Sequence, residues 1–148
     1  NEGFMVTPRI VDHITYDNQQ YKPFDDKPEK VISKETALEM KRMLVKTVEE
    51  GTGRSARIAG LEIGGKTGTA QIARGGKYLK KYISSFVGFV NDDKGNSYTI
   101  GVTVFNPNST GVNWYYYYAS QSAVPVFKEI IQNLVKLNYL IPKEGIIK

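Results

Sequence analysis

The sequence predicts an α+β fold, an antiparallel sheet with helices packed on it. Three observations carry that reading. Two segments, one starting at Ser33 and one at Ala123, repeat apolar residues at helical spacing. Between them lie three strand-like runs separated by turn-rich stretches. The order helix, three-strand meander, helix is that of helices layered on an antiparallel sheet.

Each element has its own local reason. Gly3 to Tyr16 alternates Ile10, Ile14 and Tyr16 against Arg9, Val11 and His13, which predicts a strand. Asp17-Asn18 predicts a turn and Tyr21 to Phe24 a short return strand. Ser33 is a helix N-cap, with Glu35 placed favourably in the first turn. Ala37, Met40, Leu44 and Val48 mark the buried stripe of that helix, and Gly51 and Gly53 stop it. Gly64 to Ala73 reads as a strand, Arg74 to Lys81 as a basic loop and Tyr82 to Asn91 as a second strand. Asp92 to Asn96 is a turn, and Ser97 to Phe105 is a third strand with Ile100, Val102 and Val104 on one face; the last two strands form a hairpin. Asn106 to Gly111 is a turn-rich loop, followed by the aromatic run Tyr115 to Tyr118. The last helix carries Ala123, Phe127, Ile130, Leu134 and Leu137 on one stripe, with Pro125 in its first turns. The Met and Leu positions of both helices are expected in the core.

Composition narrows the chemistry. The 148 residues are 41% hydrophobic and 24% charged, which excludes wholesale disorder. Cysteine is absent, which removes disulfides, thiol nucleophiles and cysteine zinc sites. His13 is the one histidine, so a histidine-rich metal site is excluded; it reads as a strand-surface residue. The formal charge of +5 suits anionic partners, although the signs are interspersed. No apolar run reaches the length of about eighteen residues needed to span a bilayer. The start at Asn1-Glu2-Gly3 reads as a processed or excised piece whose targeting information lies elsewhere.

The chemistry concentrates between Gly60 and Ala70. Gly60 through Thr67 matches the phosphate-loop pattern G-x-x-x-x-G-K-[ST] letter for letter. That pattern requires a buried strand before it and a helix after it. Arg54 to Ile58 is no buried strand, and Gly68-Thr69-Ala70-Gln71-Ile72 is poor in helix formers. Read as a strand, Lys66-Thr67-Gly68-Thr69 has a different use. Thr67 and Thr69 share one face. Two hydroxyls and a nearby ammonium can grip a carboxylate, and Gly68 lets a ligand lie against the backbone. The N–H of Thr69 can point at a developing oxyanion. Lys66 starts on the opposite face, so its stem must curl around the edge.

The surroundings of this motif carry a resemblance. Glu50-Gly51-Thr52-Gly53-Arg54, Gly65-Lys66-Thr67-Gly68-Thr69-Ala70-Gln71, Tyr82-Ile83-Ser84-Ser85-Phe86-Val87-Gly88-Phe89 and Ala123 to Ile131 follow one another in order. With Asn1 to Pro8 they resemble class B penicillin-binding proteins of the division type, over nearly the whole chain. The resemblance implies that residues 1–148 are the C-terminal part of a penicillin-binding protein/β-lactamase-like transpeptidase domain. Neither Ser-x-x-Lys nor Ser-x-Asn occurs, so the nucleophile-bearing half, an N-terminal domain and a membrane anchor are expected outside this chain. Tyr16-Asp17-Asn18 matches a Tyr-x-Asn variant, but in a hairpin turn after the wrong strand.

The implied function is part of a serine-type D,D-transpeptidase that crosslinks peptidoglycan stem peptides, binds penicillin and serves septal wall synthesis. Lys66 would act electrostatically beside the terminal carboxylate. Thr67 and Thr69 would bind that carboxylate through their hydroxyls, and Gly68 would give close approach. The Thr69 N–H would be one oxyanion donor, making Lys66 and Thr69 the catalytic contributors. No metal or organic cofactor is implied. The implied partners are stem peptides, β-lactams, the remainder of the polypeptide and cell-division membrane proteins, and not nucleic acid. The implied location is the bacterial inner membrane, with the catalytic domain on the periplasmic side. Two alternatives stand beside this: the phosphate loop at Gly60–Thr67, and a non-catalytic module contacting glycan or nucleic acid through its basic residues and tyrosines. Arg74, Lys77, Lys80 and Lys81 are read chiefly as solvated, with contact to incoming substrate as the other possibility.

Overall fold

The computed structural model describes residues 1–22, 27–107 and 117–144. It divides into two compact units, Asn1–Lys41 and Arg42–Lys148, between which helix α1 (Lys34–Glu49) is continuous.

The first unit holds four short strands. β1 (Phe4–Met5) pairs antiparallel with β4 (Glu29–Lys30), and β2 (Ile14–Tyr16) pairs with β3 (Gln19–Tyr21). The single strand expected over Gly3 to Tyr16 is therefore two strands with separate partners. Between them, Pro8 has no N–H for a ladder, and residues 6–13 are neither strand nor helix. The return strand comes earlier than Tyr21 to Phe24. Asp17 and Asn18 adopt φ of 52° and 59°, a two-residue turn that puts Gln19 directly opposite Tyr16; Pro23 and Phe24 lie outside the described residues. His13 sits in the unpaired segment, its Nδ1 2.9 Å from the Asp12 carboxylate.

α1 begins as expected. The Ser33 hydroxyl accepts the Thr36 N–H at 3.1 Å, which caps the helix. Glu35 has its carboxyl held below the usual range by hydrogen bonds from its own backbone N–H and from Ser33. The buried stripe is not as expected. Of that stripe Val48 is buried, Ala37 and Leu44 are half-buried and Met40 is 50% exposed, and Leu38 and Met43 beside it are 42% and 55% exposed.

The second unit is built on a three-stranded antiparallel sheet, ordered β5 (Glu62–Arg74), β6 (Lys77–Asn91), β7 (Ser97–Phe105). α2 (Ala123–Lys136) packs against β6 and β7. A 3-10 turn at Arg54–Ala56 also meets α2. Core side chains come from alternate positions: Ile63 on β5, Phe86 and Val90 on β6, Val102 on β7, and Val124, Phe127 and Ile131 on α2. Phe86 and Phe127 meet edge to face at 4.7 Å. A Cβ on Gly65 would lie 2.5 Å from the Phe86 ring, and one on Gly64 2.5 Å from the Phe89 ring, so these glycines make room for aromatic packing.

Two expectations change here. Arg74 to Lys81 is no loop: β5 and β6 run on to a two-residue turn at Gly75-Gly76, with φ of 60° and 72°. Paired glycines supply that turn without cost from a side chain. On α2 the buried face is centred on Val124, Phe127 and Ile131, because those three meet the sheet. Ile130 is 36% and Leu137 65% exposed. The helix closes at Asn138, whose φ is 60°.

The β6–β7 turn is tied to the C-terminal segment through Asp92. Its carboxylate accepts the N–H groups of Lys94, Asn96 and Ile141 and the Asn96 side-chain amide, at 2.7–2.9 Å. Partial desolvation pushes this carboxyl up, but the Asn96 amide and the three N–H donors outweigh it and hold it at about 2.

Candidate functional site

β5 changes character along its length. Ile63, Gly64 and Gly65 are buried, and from Lys66 onward the strand emerges. The β-branched threonines and the polar, Gly-rich composition keep this stretch extended. Lys66, Thr67, Gly68 and Thr69 pair in register with Val87, Phe86, Ser85 and Ser84 of β6. Among the described strands β5 has no second partner, so this is the sheet edge. No helix starts in Gly60–Thr67 or directly after it, so the geometry a phosphate loop needs is absent.

The side chains converge on a polar strip. The Thr67 hydroxyl lies 2.9 Å from the Thr52 hydroxyl. Thr52 comes from the Gly51-Thr52-Gly53 segment after α1, where Gly51 and Gly53 both donate N–H groups to the Thr47 carbonyl. The Thr69 hydroxyl accepts the Ala119 N–H at 3.3 Å. The Lys66 Nζ donates to the Thr67 carbonyl at 3.0 Å. Gly68 stands apart from Gly64 and Gly65. A Cβ there would find only Ser85 atoms, at 4.0 Å. Packing does not demand glycine at 68, so whatever favours it there lies outside the described fold.

A second layer fixes the strip from behind. The buried Ser84 hydroxyl donates to the Tyr117 carbonyl. The Tyr117 ring stacks on Tyr82 at 4.2 Å and leans on Tyr118 at 4.4 Å. Tyr117 therefore packs on β6 of the sheet; Tyr115 and Tyr116, the start of the aromatic run, lie outside the described residues. The hydrogen bond with Tyr118, with burial and the neighbouring phenols, pushes the Tyr117 hydroxyl up to about 12, so it stays protonated at neutral pH. A cavity of about 390 Å3 opens elsewhere, lined by Val45, Val48, Arg57, Leu61, Ile63 and Lys143, and none of Lys66 to Thr69 borders it. The described residues contain no group of three or more His, Asp or Glu side chains placed to hold a metal, and no helix among them is long and apolar enough to cross a membrane.

The strip is an exposed edge strand bearing two hydroxyls and an ammonium, backed by a tight Gly-Thr-Gly turn. A family model described as the penicillin binding protein transpeptidase domain matches residues 1–132. The chain belongs to the penicillin-binding protein transpeptidase family. Among proteins similar to it is the stage V sporulation protein D of Bacillus subtilis, 40% identical over 116 residues, which span 74% of this chain and 18% of that protein. A probable peptidoglycan D,D-transpeptidase PenA of Neisseria flavescens is 30% identical over 126 residues, spanning 84% of this chain and 29% of that one. Among solved structures, the transpeptidase domain of Burkholderia pseudomallei penicillin-binding protein 3 superposes with a TM-score of 0.70 at 31% identity, covering 97% of this chain and 40% of that chain. The chain thus spans 18% and 29% of the length of these curated relatives. Its α+β fold is that of a penicillin-binding transpeptidase domain.

The structure brings together all four residues that the sequence singled out, Lys66, Thr67, Gly68 and Thr69. Sequence reasoning missed Thr52 as the hydroxyl partner of Thr67, and Ala119 as the donor to Thr69. Thr52 stood out only as part of the resemblance. Ala119 carries no signal, because its contribution is a backbone N–H.

Proposed function

We propose that residues 1–148 are the C-terminal portion of a serine-type D,D-transpeptidase domain acting on peptidoglycan stem peptides. The observation that carries this is the Lys66-Thr67-Gly68-Thr69 edge, open on one side and buttressed by Thr52, in a chain of this family. A stem peptide lies along β5. The Thr67 and Thr69 hydroxyls hold its terminal carboxylate, exchanging present protein contacts for charge-assisted bonds worth about 1.5–3 kcal/mol each. Lys66 provides positive charge beside that carboxylate, and Gly68 permits close approach. The Thr69 N–H donates to the oxyanion formed when a serine, supplied outside this chain, attacks the penultimate D-Ala carbonyl. The acyl group then passes to the amine of a neighbouring stem, and a β-lactam traps the enzyme by mimicking the donor. The exposed apolar residues of the first unit and of α1 support completion of the domain by the rest of the polypeptide. By the same reading the intact protein sits in the bacterial inner membrane with this domain outside, working with cell-division membrane proteins in septal wall synthesis.

Labelling of the intact protein with fluorescent penicillin tests the proposal. Wild type is expected to label. A folded Thr69→Pro variant lacks one oxyanion donor and is expected to label about 10²–10³-fold more slowly. Labelling at the wild-type rate would remove the Thr69 N–H from the mechanism. The 148-residue chain alone is expected to form no adduct and to leave ATP intact.

A further inference from the structure

The charge of the chain is concentrated in one place. Between Glu62 and Asp92 there is no acidic residue, while Lys66, Arg74, Lys77, Lys80 and Lys81 are all basic. The chain holds 20 basic and 15 acidic residues, so removing those five leaves fifteen against fifteen. Residues 63–91, the β5–β6 hairpin beyond Glu62, therefore carry a charge equal to the entire net +5 of the chain.

The arrangement of these charges is costly to the fold. Arg74 stands directly opposite Lys77 across the Gly75-Gly76 turn, and like charges in that position repel. Lys80 and Lys81 are adjacent where the pairing of β5 and β6 slips, three residues of β6 facing the single residue Ile72. All four side chains are exposed, and none forms an ion pair with a described residue. Tyr78, 75% exposed, lies among them. A hairpin tip selected for stability alone would alternate its signs.

We propose that this tip is a docking site for the anionic polymer that carries the stem peptides, engaging carboxylates beyond the one held at Thr69. The inference rests on the transpeptidase reading and extends it along the same strand. Arg74, the last residue of β5, lies five residues beyond Thr69, about 17 Å at strand spacing, so one polymer can occupy both places. Three of the four cations are lysines, point charges on flexible stems, suited to scattered carboxylates. A phosphate site built for bidentate contacts favours clustered arginine.

The test uses the intact protein and a quadruple variant, R74Q/K77Q/K80Q/K81Q. Two readouts are compared: binding to uncrosslinked peptidoglycan strands with pentapeptide stems at low and high salt, and acylation by fluorescent penicillin. The variant is expected to bind the strands at least about fourfold more weakly at low salt, four exposed ion pairs being lost. It should also lose most of the salt dependence that wild type shows, while penicillin acylation stays within about twofold. The charge-conserving variant R74K/K77R/K80R/K81R should bind as wild type does. Unchanged strand binding in the quadruple variant would overturn the proposal. So would a parallel loss of strand binding and penicillin acylation, which would make the tip a mere support for the site strand. Tighter binding of wild type to polyphosphate or to phosphatidylglycerol vesicles than to the strands would overturn the choice of partner. Failure of wild type to label with penicillin would instead defeat the transpeptidase reading, and strand binding reads independently of it.

Discussion

The two halves of β5 obey different constraints. From Ile63 to Gly65 the strand is buried, and its glycines exist because aromatic rings occupy the space where a Cβ would stand. From Lys66 onward the strand is exposed or half-buried, and Gly68 has open space beside it. The same residue type thus has two causes within four positions. In the first half the fold requires it; in the second half nothing in the described fold does. The difference teaches that a motif written in letters mixes structural and functional demands, which separate only when each neighbour is known.

Substitutions can break this contrast. The largest effect is expected at the ring that the packed half accommodates. Phe86→Ala removes a fully buried side chain in contact with Phe127 and should cost the intact protein about 3–5 kcal/mol in denaturant unfolding. A loss below 1 kcal/mol would show that this core is not the support of the site strand.

In the exposed half the effect should appear in chemistry instead. Thr69→Val keeps the β-branched shape and the N–H, and removes only the hydroxyl. β-Lactam acylation should fall by roughly 10- to 150-fold, the worth of one charge-assisted hydrogen bond, with the unfolding midpoint nearly unchanged. Equal acylation rates for the two proteins would take the hydroxyl out of carboxylate binding.

The glycines give the most direct comparison. Gly65→Ala forces a methyl group against the Phe86 ring and should destabilise by about 1–3 kcal/mol. Gly68→Ala meets no obstacle, and should be neutral or stabilise by about 0.5–1 kcal/mol, as alanine does in strand interiors. Its cost should fall on penicillin labelling. If both variants unfold at the same denaturant concentration, the division of β5 proposed here is wrong.

The smallest effect is one of pH. Asp92 has its carboxyl held at about 2, below the ordinary value near 4 of an unfolded chain. A depressed carboxylate contributes stability that is present above about pH 4 and is lost as pH falls toward 2. Asp92 follows Asn91, which pairs with Glu62 at the packed end of β5. Acid should therefore loosen that end, and Asp92→Asn should flatten the fall in stability between pH 4 and 2. An unaltered acid profile in that variant would place the loss on other carboxylates.

The sequence by itself determined much of this. Ser33 announced a helix start because its hydroxyl caps an N–H three residues on, a local interaction. Period-two alternation marked Ser97 to Phe105 with the bounds the strand has, and placed Thr67 and Thr69 on one face. Turn residues fixed the hairpins, though the Gly75-Gly76 turn proved tighter than a basic loop because two glycines suffice to reverse the chain. What only the tertiary structure decided were matters of contact at a distance. Thr52 meets Thr67 across fifteen residues and Ala119 meets Thr69 across fifty, and no local pattern encodes either pairing. The buried face of α2 passes through Ile131, with Ile130 left exposed, because the sheet selects among residues that helical spacing alone leaves nearly equivalent. Met40 and Met43 look like core in sequence yet are exposed, since burial belongs to the neighbour that covers a side chain as much as to the side chain itself.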